Sequence, residues 1–347
     1  MSLRLYKFPD LLIRKVLCQM NATTLFELSL CSTESKIIVK KLKLKPSKLE
    51  IDFGEGHIDL NFGKQLESIY WEVKRRTTPP SGRYLTDRVI CGKIIGIETR
   101  ANLLEKPNSY LSYTISVEWL LYFLTEYMLD IFDAKVTRIV SHWADLHWPI
   151  LFLWKSFQNC PSVTLHAHNI GQMNMQLLMD NVNATERFEI KLKNKVEFTR
   201  KKLFNCEYFS CLGSAELMSR KKLVSFDSRV VRLGMTSYTT RDLNYFIKKW
   251  LRSRNLKLEM LVLQLNRGYH FEEDDIFNQI YVEWWDETKR APYYCDATGD
   301  FIEFIDASNG YEIERFDGML ATVLLDQDKF HFLVWHNRFP PQPEDDF

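Results

Sequence analysis

Residues 8–42 of this chain of 347 residues read FPDLLIRKVLCQMNATTLFELSLCSTESKIIVKKL, and they determine the interpretation of its N-terminal region. Pro9 suits the first turn of a helix, where a backbone N–H has no partner in any case. Behind it, apolar side chains recur at helical spacing on one face. They are Leu12, Ile13, Val16, Leu17 and Met20. The pattern predicts an amphipathic helix.

Two further short helices are predicted directly after the first. Thr24, followed by Glu27 three residues on, has the pattern of a capping box. Ser32 and Thr33 offer a cap for a third helix that runs to Leu42. Helices of this length cannot hold a stable core among themselves. They must therefore pack against the rest of the chain or against a partner.

A hinge at residues 46–48 is predicted to separate this module from a larger region. Lys45-Pro46-Ser47 interrupts the helical pattern. Apolar residues then alternate on both sides of a turn at Gly54-Glu55-Gly56, which indicates a hairpin. An apolar stripe behind Ser116 predicts a core helix that reaches Ile131.

Strands and helices alternate between residues 136 and 265. The predicted strands begin roughly 20 to 30 residues apart, which is the spacing of leucine-rich repeats. The regular asparagine positions of such repeats are absent, so we expect an irregular stack of β-α units. The strands are predicted at 163–165, 188–192, 208–212, 231–233 and 261–265, with the clearest helix behind Thr239 or Thr240.

The C-terminal part is predicted to form an antiparallel meander that caps the stack. Its strands are expected at 301–305, 311–316, 319–325 and 330–335, with tight turns at Asn309-Gly310 and Asp317-Gly318. The prediction is thus of mixed α+β and α/β class: an N-terminal three-helix module, then an irregular leucine-rich-repeat-like β-α stack capped by the meander. The domain boundaries are 1–45, a hinge at 46–48, an interaction region at 49–337 and a frayed acidic tail at 338–347.

The composition limits the compartments and the partners that we expect for this chain. The formal net charge is +1, so no overall field attracts nucleic acid or an anionic membrane. The 7 cysteines are scattered without C-x-x-C pairs, which favours a reducing compartment. No apolar stretch is long enough to span a bilayer. We therefore expect a soluble cytoplasmic or nuclear protein without a membrane partner.

The sequence contains no pattern that predicts catalysis. Phosphate-binding glycine loops, the nucleophile elbow and the zinc-protease motif are all missing. Three groups were weighed as metal ligands, and solvated or core side chains are the preferred interpretation of each. They are His166 with His168, His142 with Asp145 and His147, and the run Glu272 to Asp275. Cys206 and Cys211 are not expected to be a ligand pair. We predict no catalytic residue, no metal and no cofactor.

One basic run supplies a rival interpretation. A helix-turn-helix-like module could use such a face to bind DNA, although arginine, the preferred residue for base recognition, is absent from it. A solvated helix face is the preferred interpretation, so nucleic acid is not the expected partner. The run comprises Lys36, Lys40, Lys41, Lys43, Lys45 and Lys48.

The N-terminal module resembles the F-box motif. The pattern is Phe8-Pro9-x-x-Leu12-Ile13-x-x-Val16-Leu17, then Leu25-x-x-Leu28-Ser29-x-Cys31-Ser32, then Ile37-Ile38. This resemblance implies binding to the Skp adaptor, and through it to a cullin. The positions carried over as adaptor-binding residues are Phe8, Pro9, Leu12, Ile13, Val16, Leu17, Leu25, Leu28, Cys31 and Ser32.

The remainder resembles the F-box-associated domain of type 2, which is expanded in nematodes. The resemblance rests on Val231-Arg232-Leu233, Asp242 to Trp250 and Leu258 to Leu261. It implies a non-catalytic adaptor of a Skp-cullin-F-box ubiquitin ligase that holds an unknown protein substrate. Strand parity places the substrate on the polar face of the stack. The candidate residues are Thr164, His166, His168, Glu189, Lys191, Arg232 and Gln264.

Overall fold

The computed structural model describes residues 8–63, 68–76, 85–90, 92–100, 109–145, 149–195, 197–198, 205–213, 215, 218–266, 271–297, 302–326 and 328–343. The backbone divides into two compact units, Met1–His142 and Trp143–Phe347. The predicted mixed α+β class, with N-terminal helices followed by sheet strands, is confirmed.

The first unit begins with three helices, α1 (Asp10–Leu17), α2 (Ala22–Cys31) and α3 (Thr33–Lys41). Six strands follow: β1 (Lys48–Asp52), β2 (His57–Asn61), β3 (Ser68–Arg75), β4 (Thr86–Ile90), β5 (Lys93–Arg100) and β6 (Ser109–Thr114). Helix α4 (Val117–Ile131) leads to strand β7 (Arg138–Asp145). The sheet order is β7-β1-β2-β3-β6-β5-β4.

Two elements predicted for the first unit from local sequence patterns are present, and one predicted helix start is wrong. The hairpin predicted around residues 54–56 is present, since β1 and β2 pair antiparallel with Ile51 opposite Ile58. The helix predicted behind Ser116 is α4, and it buries Leu120, Leu124 and Met128. The capping box predicted at Thr24 is wrong. Helix α2 begins earlier, because the Asn21 side chain accepts the N–H of Thr24 at 2.8 Å.

The second unit contains a parallel series of strands. A 3-10 helix (Pro149–Leu153) and helix α5 (Lys155–Gln158) precede β8 (Ser162–Asn169), and α6 (Gln172–Asn181) precedes β9 (Arg187–Leu192). Then come β10 (Tyr208–Leu212), α7 (Arg220–Leu223), β11 (Val230–Thr236), α8 (Thr240–Leu251) and β12 (Met260–Leu265). Strands β8 to β12 pair parallel in chain order. Alternating burial along β9 places Phe188, Ile190 and Leu192 in the core.

Antiparallel strands complete this unit. After α9 (Glu273–Ile276), the strands are β13 (Glu283–Trp284), β14 (Tyr293–Asp296), β15 (Glu303–Asp306), β16 (Tyr311–Glu314), β17 (Leu320–Asp326) and β18 (Lys329–Trp335). The sheet continues from β12 in the order β18-β17-β16-β13. The strand expected at 301–305 does not pair with β16. Phe301 lies outside the described residues, and β15 forms a separate ribbon with β14.

Candidate interaction surfaces

The apolar residues on and beside helix α1 are divided between the interior of the chain and its surface. Ile13 and Leu17 are buried within the chain. Phe8, Leu12 and Val16 lie on the other face, 44%, 51% and 40% exposed. An amphipathic helix normally turns a polar face to solvent. Here exposed apolar side chains stand among the exposed Asp10, Arg14 and Lys15, so α1 leaves some hydrophobic surface uncovered in the free chain.

The other predicted adaptor residues are distributed differently. Pro9 and Cys31 are exposed, whereas Leu28 and Ser32 are half-buried. Leu25 is buried in the chain's own core. The structure thus brings Phe8, Pro9, Leu12 and Val16 together at the surface, and assigns Ile13, Leu17 and Leu25 to internal packing.

Two exposed apolar residues were not among the predicted adaptor positions. Leu11, 69% exposed, adjoins Leu12 on α1, and Ile37, 50% exposed, lies on α3. The only signal for Leu11 in the sequence was its position directly before Leu12, because Phe8 precedes the start of α1 at Asp10. We call Phe8, Leu11, Leu12 and Val16 the α1 patch.

A cavity of 290 Å³ lies between α1 and α3. Its apolar lining is formed by Ile13, Leu17, Ile38 and Leu42, and its polar lining by Asp10, Arg14 and Lys41. Lys41 Nζ and Asp10 Oδ2 approach to 3.9 Å. The cavity belongs to the same three-helix module as the α1 patch.

Polar groups fix how the three helices begin. The Pro9 carbonyl accepts the N–H groups of Leu12 and Ile13 at 2.9 and 3.2 Å, which starts α1. Ser32 Oγ accepts the N–H of Ser35 at 3.1 Å and caps α3, as the sequence predicted. Such caps satisfy N–H groups that have no partner within the helix.

Helix α2 is anchored in the core of the first unit by Phe26. This fully buried ring packs against Trp71, Tyr110 and Tyr127, with centroids 5.4 to 5.9 Å apart. The Tyr127 hydroxyl donates to the Ser29 carbonyl at 2.9 Å. The three-helix module therefore shares its core with β3, β6 and α4.

The basic run is largely neutralised. Its pairs with carboxylates have N···O distances of 2.5 to 3.9 Å; they are Lys36 and Lys40 with Asp130, Lys41 with Asp10, Lys45 with Asp133 and Lys48 with Glu50. Hydrogen bonds from Lys36 and Lys40 lower the pKa of Asp130 below its usual value. Five of six lysines thus face an acidic partner, which weakens this run as a phosphate-binding surface.

The predicted substrate residues line up across the parallel strands. Thr164 lies beside Glu189, and His166 lies beside Lys191. Ser210 of β10 stands between Glu189 and Arg232. We call this the sheet face. Gln264 belongs to it but lies farther along, opposite Lys329.

The residues of the sheet face differ in accessibility. His168, Lys191 and Gln264 are exposed, while His166 and Glu189 are half-buried and 3.8 Å apart. Thr164 was predicted to face solvent, but only 6% of it is exposed. Strand parity gives the side of a residue, not the neighbours that cover it.

Arg232 is held by the chain itself. Its guanidinium forms an ion pair with Asp296 of β14, a carboxylate that is only 3% exposed. Glu303 of β15 lies 3.8 Å from the same guanidinium nitrogen. The β14–β15 ribbon also places Tyr294 and Ile305 against Val230 and Met260. This ribbon therefore covers one end of the sheet face.

Two of the groups considered as metal ligands are the cysteine pair and the cluster of His142, Asp145 and His147. Burial raises the pKa of the Cys206 and Cys211 thiols to about 11 and about 12, which keeps them protonated. His147 lies outside the described residues, as does the side chain of Asp145.

The structure brings together a cluster that the sequence analysis did not predict: Asp52, Glu55 and His57 have ligand atoms within 4.8 Å of one another. Asp52 Oδ1, however, accepts the N–H groups of Gly54 and Glu55 at 2.7 and 2.8 Å. That carboxylate therefore already braces the β1–β2 turn. Among the helices that the structure describes, none is long and apolar enough to cross a bilayer.

Known families match both the N-terminal helices and part of the second unit. Residues 5–47 match the F-box domain, and residues 175–263 match the family described as F-box associated. The chain therefore carries an F-box and an F-box associated region. Helices α1 to α3 are its F-box helices, and the F-box associated match runs from α6 into β12.

Two relatives of this chain come from Caenorhabditis elegans. The uncharacterized protein F59B2.9 is 25% identical over 350 residues, covering 98% of this chain and 80% of the relative. The uncharacterized protein F59B2.8 is 23% identical over 328 residues, covering 91% of this chain and 74% of the relative. No solved structure matches this chain.

Proposed function

We propose that this F-box protein is the substrate-recognition adaptor of a Skp-cullin-F-box ubiquitin ligase. The F-box docks on the Skp adaptor, which joins the chain to a cullin, and the F-box associated region holds a protein substrate. Ubiquitin transfer is carried out by a separate enzyme, so the chain itself has no catalytic role. Such a complex operates in the cytoplasm or the nucleus.

The observation that carries the proposal is the α1 patch. Three of its four large apolar side chains lie on α1, where Ile13 and Leu17 are buried, and the fourth, Phe8, directly precedes the helix. Contiguous exposed apolar surface marks partner sites, since its burial stabilises a complex by roughly 25 cal/mol per Å². The patch includes Phe8, Leu12 and Val16 of the motif, which are the positions carried over from the F-box family.

The DNA-binding alternative receives no support from the same region. A phosphate-binding surface needs cations free to replace counterions. Lys36 and Lys40 share Asp130, and Lys45 lies 3.5 Å from Asp133. The run therefore offers little net positive charge.

The proposal also covers the domain boundaries, the arrangement of the strands and the surface that binds the substrate. We take residues 1–45 as the F-box, 46–48 as the hinge, 49–337 as the interaction region and 338–347 as an acidic tail. The parallel strands β8 to β12 are interpreted as an irregular leucine-rich-repeat-like stack, with the antiparallel strands as its meander cap. The substrate is proposed to contact the sheet face through its exposed members, His168, Lys191 and Gln264.

Co-purification of a Skp adaptor with substituted chains tests this function. Leu12→Ala with Val16→Ala should lower adaptor recovery at least about tenfold, because truncated interface anchors typically weaken binding by about 1 to 2 kcal/mol each. Both side chains are partly exposed, so the fold should be retained. Ile94→Ala with Val89→Ala provides the matched control, since these exposed apolar residues lie on β5 and β4. Equal recovery from both double variants would contradict the proposed docking.

A further inference from the structure

A second cavity, of 290 Å³, lies within the F-box associated region. It is bounded by α7 and α8 on one side and by β11 and β12 on the other. Its apolar lining includes Leu223, Phe226, Phe246, Trp250 and Leu261, all with 9% or less of their surface exposed. This volume is at the lower end of the range of small-molecule sites, roughly 300 to 1,000 Å³. It fits one large side chain better than a cofactor.

Cations flank one wall of the cavity. The Tyr245 ring lines it, and the Arg220 guanidinium lies 4.7 Å from the centroid of this ring. Lys249, which lines the cavity as well, has its Nζ 5.8 Å from the same centroid. Arg220 also lies 3.6 Å from Asp242. Lys249 is exposed, and no ion pair engages it within the described part of the chain.

The charge around the cavity is unlike that of the whole chain. Residues 219–257 contain eleven Lys and Arg but two Asp and no Glu, whereas the full chain has 46 basic and 45 acidic residues. Exposed cations continue from both helices beside the cavity; they are Lys221 of α7 and Arg252 and Arg254 after α8. Arg229, Arg232 and Lys257 are paired with Glu259, Asp296 and Glu207. The positive charge that a partner meets beside the apolar cavity therefore comes from the exposed Lys221, Lys249, Arg252 and Arg254.

We propose that this cavity binds an acidic peptide segment of a partner protein, with one aromatic or branched aliphatic side chain inserted among Leu223, Phe226 and Trp250. Carboxylate or phosphate groups on either side of that anchor pair with Arg220 and Lys249. The inference rests on the proposed adaptor function, for which it names the chemistry of the substrate segment. Electrostatic complementarity selects acidic partners, and the buried anchor supplies the affinity.

Selection from a random peptide library displayed on phage, with the full-length chain as target, tests the site. Enriched peptides should carry an aromatic or aliphatic residue flanked by Asp and Glu. Synthetic copies labelled with fluorescein should bind in anisotropy titrations and weaken as salt rises. Replacing the flanking Glu residues by phosphoserine distinguishes phosphate from carboxylate as the preferred anion.

Two kinds of variant connect binding to the cavity. Arg220→Gln with Lys249→Gln should weaken the selected peptides about tenfold, from two partly exposed charge pairs. Val224→Phe should also weaken them, because Val224 lines the cavity and the larger side chain fills it. Lys135→Gln with Lys155→Gln is the matched control, since both lysines are exposed and lie outside the cavity lining.

Three outcomes would overturn the site: no enriched peptide, enriched peptides without acidic residues, or equal binding by the wild type and both cavity variants. Recovery of the Skp adaptor by the same proteins keeps this test separate from that of the adaptor function. If acidic peptides bind while the adaptor does not, the ligase role fails and the cavity assignment stands.

Discussion

Phe26 of the F-box meets Trp71 of β3 edge to face, with ring centroids 5.6 Å apart and the ring planes at 88°. Both side chains are fully buried. Aromatic pairs in this geometry contribute beyond the area that they bury. The F-box helices are thus part of the core of the first unit, and their stability depends on the sheet strands behind them.

We predict that Phe26→Ala lowers the free energy of unfolding by about 3 to 5 kcal/mol, through lost burial and the cavity it leaves. Urea denaturation of the full-length chain measures the change. Leu11→Ala is the control and should shift it by less than about 0.5 kcal/mol, because that side chain is 69% exposed. Equal effects from both substitutions would show that the F-box does not share this core.

The sequence predicted much of the F-box fold but not this anchoring. Helical spacing after Pro9 gave α1, and Ser32 gave the cap of α3, because both signals are local. Phe26 was recognised as apolar, yet its partners Trp71, Tyr110 and Tyr127 are distant in sequence. Periodicity identifies a buried face and does not identify what covers it.

His331 of β18 is predicted to make stability depend on pH. Burial lowers its pKa below the ordinary value, and the positive charges of Lys329 and Arg232 act in the same direction against Asp326. The unfolded chain therefore binds this proton more readily than the folded chain. The contribution is fully present above the unfolded-state pKa of about 6.5, and is lost as the pH falls from there through the lowered folded-state pKa.

The test compares unfolding free energies of the wild type and His331→Gln between about pH 7.5 and about pH 5. The wild type should lose stability over this interval, and the variant should lose less. Parallel profiles for the two proteins would mean that His331 does not titrate differently in the folded and unfolded states.

Charge reversal on the sheet face should have two different consequences. Arg232→Glu places a carboxylate beside the buried Asp296, and should cost about 3 to 5 kcal/mol of unfolding free energy. Lys191→Glu changes the same charge at an exposed position, and should stay within about 0.5 kcal/mol. Thermal and urea unfolding of both variants check this. An Arg232→Glu chain as stable as the wild type would contradict the structural role of the ion pair.

The difference between Arg232 and Lys191 also shows how much of the site the sequence could predict. Alternation predicted that Arg232 and Lys191 both point to solvent; Lys191 is exposed, whereas Arg232 is half-buried. It could not show that Asp296, 64 residues further along the chain, forms an ion pair with Arg232. The cavity beside α8 was missed for the same reason, since its lining comes from two helices and two strands. The only feature of the sequence that points to this region is the excess of Lys and Arg in residues 219–257.

The most direct test of the adaptor function is a calorimetric titration of the full-length chain with a purified Skp adaptor at about 50 and about 200 mM salt, alongside a DNA duplex. Docking through the α1 patch predicts a one-to-one complex whose affinity changes little between these conditions, because it rests on apolar burial. The DNA should not bind measurably at either salt concentration. Failure of the adaptor to bind, or DNA binding that falls by about 10³ or more between the two salts, would contradict the account.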